Sequence, residues 1–197
     1  NDKGFRASKS RNKAIARSNG DYIILIDGDM ILHPEFIKDH AINSELGCFV
    51  QGGRVLLSHS KTSKIIENQK INLSFMDFGL KNRKNSIHSS LLSRYLSIKK
   101  NYLKGIKTCN LAFFKKDCIA INGFNNDFEG WGREDSEFSL RLMNSGIERK
   151  TLKFNAIQFH LWHHESSKNS LKINDEIMQK TINKNLSWCE NGINNYL

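Results

Sequence analysis

Short unbroken apolar runs alternate along this chain with segments in which apolar or small residues recur every three or four positions. Tyr22-Ile23-Ile24-Leu25-Ile26 is a run of β-branched and aromatic residues. Asn19-Gly20-Asp21 precedes it and Asp27-Gly28-Asp29 follows, which predicts a buried strand. Further strands are predicted near Cys48 to Gln51, Arg54 to Leu57, Thr108 to Phe114 and Arg149 to Phe154, and strand-like alternation opens again at Ala156. Upstream, Ala7, Ser10, Ala14 and Ser18 fall on one side at helical spacing, with Gly20 as the stop signal, which predicts a small-residue face packed against a sheet. Pro34, the only proline, marks the first turn of a helix running toward Leu46. Phe138 and Leu142, four apart, predict a helix ending near Asn144-Ser145-Gly146. Ser63 to Phe78 reads as helical, Lys81 to Lys107 as an amphipathic helix, and Ile173, Ile177, Met178, Ile182 and Leu186 as a packing helix. No repeat or linker divides the chain, so residues 1–197 are read as one domain.

The chemistry concentrates where these elements end. Asp27 and Asp29 stand at the carboxyl end of the first strand, the edge at which open α/β sheets bind ligands. Two carboxylates separated by Gly28, which lets the backbone come close, present oxygen ligands to a hard divalent cation bridging a diphosphate. The plainer reading is a turn rich in Asp and Gly. Arg6, Lys9, Arg11, Lys13 and Arg17 make the preceding helix strongly basic; Arg11, on the Ala7 and Ser18 side, reads as a diphosphate contact, the others equally as a solvated face.

A second acidic cluster, Trp131-Gly132-Arg133-Glu134-Asp135, passes from a glycine-punctuated loop into a helix. Acids in a first helical turn complement the macrodipole and need no further role. A tryptophan between two glycines is nonetheless an odd cap and a good platform for a sugar ring. Glu134 and Asp135 point in different directions, so one can hydrogen-bond an acceptor hydroxyl while the other removes its proton. His160, His163 and His164 form a third cluster. Zinc is disfavoured there, because the HExxH order is absent and no cysteine is near in sequence.

The basic helix with Arg11-Asn12, the strand ending in Asp27-Gly28-Asp29-Met30, and the stretch from Phe128 to Phe138 resemble the GT-A glycosyltransferases of family 2. The Gly-Trp-Gly-x-Glu-Asp element is also similar to that of β1,4-galactosyltransferases, polypeptide GalNAc-transferases and chondroitin-type polymerases. The resemblance runs from about Lys3 to Glu165. It implies an α/β, Rossmann-like GT-A fold with a mixed central sheet flanked by helices. It also implies an inverting transfer from a nucleotide-sugar donor, a UDP-sugar, to a glycan or lipid-linked acceptor in bacterial surface polysaccharide synthesis. Asp27 becomes a ribose or metal-site contact and Asp29 the direct ligand of Mn²⁺ or Mg²⁺. Asp135 becomes the general base, with Glu134 and Trp131 positioning acceptor and donor sugar. Asn110 matches a family position near the donor sugar, although a turn amide is the plainer reading. His160 occupies the position of an imidazole ligand and His163 competes for it; carboxylate with imidazole suits Mn²⁺. Against the family's pattern, about two βαβ-sized units, on the order of 60 residues, are expected to be missing ahead of Asn1. That leaves a catalytically incomplete, glycan-binding GT-A-like module as the alternative.

Composition adjusts this picture little. A net charge of +10 over 197 residues invites a nucleic-acid reading, but the positive residues are dispersed and no nucleic-acid motif accompanies them. Basic charge serves anionic donors or an anionic membrane face equally well, and a peripheral membrane contact through Leu91 to Leu103 follows as an expectation. Cys48, Cys109, Cys118 and Cys189 lack CxxC spacing and read as reduced thiols. With no spanning apolar run and no signal peptide, a cytoplasmic location is expected, peripheral on the inner membrane face.

Overall fold

A computed structural model describes residues 4–69, 71–164 and 169–197. Asn1 to Lys3 and Glu165, the two ends of the resemblance, lie outside the described residues.

Strand β1 (Tyr22–Leu25) is followed through the acidic turn by β2 (Met30–Leu32), helix α2 (Phe36–Asn43), β3 (Cys48–Gln51) and β4 (Val55–Leu57). Helix α3 (His59–Asn68), β5 (Leu80–Lys81), α4 (Ser90–Leu96), β6 (Ile98–Lys99) and β7 (Leu111–Phe114) come next. The remainder is α5 (Lys115–Ala120), α6 (Glu134–Asn144), β8 (Glu148–Thr151), β9 (Gln158–His160) and α7 (Leu171–Asn183), with α1 (Ala7–Arg17) preceding all of them. The result is an α/β protein with two mixed sheets, consistent with a GT-A-like fold.

The first sheet has the order β1-β7-β3-β8-β6. Strand β7 is antiparallel to both β1 and β3, and β3 is parallel to β8, so β1, β3 and β8 run the same way. Their carboxyl ends share one sheet edge, where Asp27-Gly28-Asp29, Gly52-Gly53-Arg54 and Leu152-Lys153 emerge. The second sheet, β2-β9-β4-β5, pairs Met30 of β2 with His160 of β9. Successive side chains on a strand face opposite ways. Phe49, Leu111 and Phe113 accordingly join Ile15 of α1 and Phe138 and Leu142 of α6 in one core layer. Val50 and Ala112 join Phe36 of α2 in another.

The predicted small-residue face of α1 is not the packed one. Ser10 and Ala14 are exposed, and Ser8, Asn12 and Ile15 are buried instead. Asn12 explains the rotation: Nδ2 donates to Phe124 O at 2.7 Å and Asn126 Oδ1 at 3.0 Å, while Phe124 N donates to its Oδ1 at 2.8 Å. A satisfied buried amide fixes a helix face more firmly than closeness of small side chains does. The helix predicted over Ser63 to Phe78 starts earlier and stops sooner. Ser58 caps α3 by accepting from Lys61 N, and Gln69 ends it in the left-handed region at φ 52°.

Lys81 to Lys107 is no continuous helix. Asn82 at φ 58° and Gly105 at φ 80° turn the chain, Ser89 caps the short α4, and β6 pairs with β8. Nor is Thr108 to Phe114 all strand, since Thr108–Asn110 form a 3₁₀ turn before β7. On α7 the buried positions are Asn174, Met178 and Thr181, while Ile173 and Ile182 are exposed. Polar partners again set the face: Thr181 Oγ1 donates to Glu137 Oε1 at 3.1 Å, and Glu137 forms a fully buried pair with Arg141 at 2.7 Å.

Candidate active site

The β2–β9 register closes a gap of more than a hundred positions in sequence. Leu161 N donates to Asp29 O at 3.0 Å, continuing the ladder past the Met30–His160 pair. His160 Nε2 then lies 3.3 Å from Asp29 Oδ2, and His163 Nε2 lies 3.1 Å from the same oxygen. One ligand atom from each of the three residues falls within 4.8 Å of the others. Two details suit a cation. Among the described residues Asp29 Oδ1 is buried without a hydrogen-bond partner. His163 Nδ1 lies 2.6 Å from His164 O, which can only accept, so Nδ1 donates there and Nε2 is the ring atom left for a cation beside Asp29. Burial also lowers the pKa of His160, against the pull of Asp29, and favours the neutral imidazole that ligates metals. The donor set, one carboxylate and two imidazoles, fits Mn²⁺ better than Mg²⁺.

Arg11 joins this turn to the second acidic cluster. Its Nη1 is 3.1 Å from Glu134 Oε1 and its Nη2 is 3.7 Å from Asp27 Oδ1. The Asp27 carboxyl is raised above its ordinary value, chiefly by burial; Arg11, His160 and Arg54 oppose the shift and Asp29 adds to it. Arg54 therefore belongs to the same electrostatic neighbourhood. Sequence reasoning passed over it, although Gly52-Gly53-Arg54 at a strand's carboxyl end is the signal that would have found it.

The glycine-punctuated loop is shaped by α7. Gly130 has φ 71°, and a side chain there would meet Ser170 Oγ at 2.3 Å; Gly132 has φ 108° beside Leu171. Buried Asn174 ties the loop down by donating to Glu129 O at 3.1 Å and Gly132 O at 2.9 Å. Arg133 precedes α6 at φ 78°, a left-handed conformation unusual outside glycine, and pairs with Asp175. The loop thus enters α6 with Glu134 and Asp135 in the first turn. Asp135 retains some open surface yet is densely surrounded. Burial, reinforced by the Glu134 carboxylate, pushes its pKa up to about 6, against hydrogen bonds from Ser136 and the charge of Arg11. A carboxyl poised there is suited to accept a proton near neutrality.

Trp131 is 43% exposed on this loop. Asn110 is placed differently from its expected contact with a donor sugar. It is 1% exposed; Nδ2 donates to Gly53 O at 2.7 Å and Ala156 O at 2.8 Å, and Oδ1 lies 2.9 Å from His40 Nε2. Both amide protons are spent on the fold, so the side chain serves as an interior tie between strand ends. The four cysteines are free and buried. Among the described residues no helix is long and apolar enough to cross a membrane.

Two family profiles match the chain. The profile of Glycosyl transferase family 2 matches residues 1–115, which include α1, the acidic turn and β3. That of the N-terminal domain of galactosyltransferase matches residues 88–165, which include the Trp131 loop, the start of α6 and β9. No curated protein matches the chain. Because the first match covers more than half of the 197 residues, the chain belongs to glycosyl transferase family 2 and is a glycosyltransferase, acting on a nucleotide-sugar donor and an acceptor.

Proposed function

We propose that the chain transfers a sugar, with inversion, from a UDP-sugar to a hydroxyl of a glycan or lipid-linked acceptor, and that Asp135 is the general base. The observation that carries this reading is the raised Asp135 carboxyl, joined through Glu134 and Arg11 to the Asp27-Gly28-Asp29 turn. Asp135 takes the acceptor proton as the hydroxyl oxygen bonds to the anomeric carbon. The bond from that carbon to the diphosphate breaks on the opposite face, and its electron pair leaves with the nucleoside diphosphate. Glu134 orients the acceptor and Trp131 supports the sugar. Asp29, His160 and His163 would hold Mn²⁺ or Mg²⁺, whose charge stabilises a bound diphosphate. The abundance of lysine and asparagine suits an AT-rich bacterial genome, and with it a role in envelope polysaccharide synthesis. Calorimetry of UDP and UDP-sugars, with and without Mn²⁺, tests the reading; no binding in either condition would remove it.

Arg11 sets the acid limb of the reaction. Its positive charge holds Asp135 and Asp27 lower than burial alone would. Arg11→Gln is therefore expected to move the rise of kcat/KM to higher pH, because the base ionises later. A pH profile measured on both proteins checks the sign; an unmoved limb would detach Arg11 from the base.

A peripheral membrane contact has a surface to use. On α4 and the adjoining strand, Leu91 is 67% exposed, and Leu92, Tyr95, Leu96 and Ile98 are also open to solvent. Arg94, Lys99 and Lys100 flank them, the mixture that anionic bilayers attract. Leu91→Ser combined with Tyr95→Ser should reduce co-sedimentation with anionic liposomes and leave the melting temperature unchanged. Equal sedimentation of both proteins would dismiss the contact.

A further inference from the structure

The carboxyl ends of β3 and β8 wall a cavity of about 360 Å³. Ligand sites run from about 300 to 1,000 Å³, so it has room for one sugar-sized group. Arg54, Lys107, Arg149 and Lys153 line it, and no acidic side chain does. Among the described residues none of these four cations forms an ion pair with a carboxylate.

Arg149 is the informative member. It is 2% exposed, its Nη1 donates to Tyr102 O at 2.6 Å and Lys104 O at 2.9 Å, and its guanidinium lies 4.0 Å from the Tyr102 ring centroid. Its Nε is buried with no hydrogen-bond partner among the described residues. Neutral carbonyls and an aromatic face orient the guanidinium but, among the described residues, leave its charge without a counterion. Burying a charge in that condition is strongly unfavourable unless something supplies the opposite sign. Burial accordingly lowers the pKa of Arg149. Adjacent strands lie about 4.8 Å apart, which puts the ends of β3 and β8 about 10 to 15 Å from the Asp27-Gly28-Asp29 turn. An occupant at that distance is set apart from a diphosphate held at the turn, and it can be the next part of the same acceptor. Arg54, which acts electrostatically on Asp27 and His160, stands between the two places.

We infer that this pocket binds an oxyanion carried by the acceptor, a uronate carboxylate or a phosphate, and so selects acidic acceptors. That the carrier is an acceptor rests on the transfer reading above; that the pocket binds an oxyanion does not.

The test titrates the full chain, at constant ionic strength, with glucuronate, glucose 6-phosphate and glucose, followed by calorimetry or chemical-shift change. At least one sugar anion should bind and glucose should not; which anion binds tighter tells carboxylate from phosphate. Lys107→Ala with Lys153→Ala should weaken that binding about tenfold without lowering the melting temperature. Arg149→Met should abolish it, and if that protein does not fold the lysine variant still decides. Binding of glucose equal to that of the anions, or of neither anion, would overturn the inference. Displacement of the anion by UDP with Mn²⁺ would overturn it as well, by giving the pocket to the donor. UDP binding in the same samples reports separately on the transfer reading. Anion binding without UDP binding keeps the pocket and removes the UDP-donor reading; the converse does the opposite.

Discussion

Asp135→Asn is expected to lower kcat by about 10²- to 10⁴-fold, the usual worth of a positioned general base, with UDP affinity unchanged. The amide keeps the shape of the carboxyl but cannot take a proton. In the unmodified protein the base is ionised above a pKa of about 6, so activity should rise with pH through that region. The variant's residual activity should show no such rise. Stability should move the other way. A carboxyl whose folded pKa is raised stabilises the fold most when protonated, and that contribution is lost as pH climbs through about 6. At pH 7.5 Asp135→Asn should therefore melt no lower than the parent. Activity lost together with melting temperature would mean a packing role instead. Activity within threefold of the parent would transfer the base function to another group, Glu134 being the nearest.

Asp29→Ala should remove the dependence of UDP binding on Mn²⁺, weakening the Mn²⁺-supported affinity by about 100-fold or more. Asp29 offers the oxygen on which both imidazoles converge, at 3.3 and 3.1 Å, so its loss leaves this cluster two imidazoles and no carboxylate. Mn²⁺ binding to the chain alone, followed by electron paramagnetic resonance, gives a readout independent of nucleotide. His160→Ala and His163→Ala should each weaken that signal less than Asp29→Ala, because each leaves the carboxylate in place. Unaltered Mn²⁺ binding in Asp29→Ala would move the metal elsewhere.

Most strands could be read from local pattern, because burial on a sheet leaves a compact apolar signature. Tyr22–Leu25, Cys48–Gln51 and Val55–Leu57 stand at or within a residue or two of where the runs predict. Helix faces were harder. On α1 and α7 the inward residues include Asn12, Asn174 and Thr181, which spacing of small or apolar residues cannot nominate. Each is buried because a distant carbonyl, amide or carboxylate needs it, and that need is invisible along the chain. The region after Lys81 misled for a related reason. Its mixture of apolar and basic residues suits one amphipathic helix, but local caps and left-handed turns at Asn82, Ser89 and Gly105 outweigh the periodicity.

Sequence alone determined the chemical inventory: paired carboxylates at a strand end, a second acidic pair opening a helix behind a glycine-bounded tryptophan, and a histidine cluster. These are legible because local backbone geometry and side-chain chemistry are properties of neighbours in the chain. Adjacency between clusters was decided only by tertiary structure. Antiparallel pairing of β2 with β9 carries His160 and His163 to Asp29, and the docking of α1 sets Arg11 between Asp27 and Glu134. The same packing turned Asn110 inward and left Arg149 buried with no carboxylate partner among the described residues, since both outcomes depend on which strand ends meet at one sheet edge.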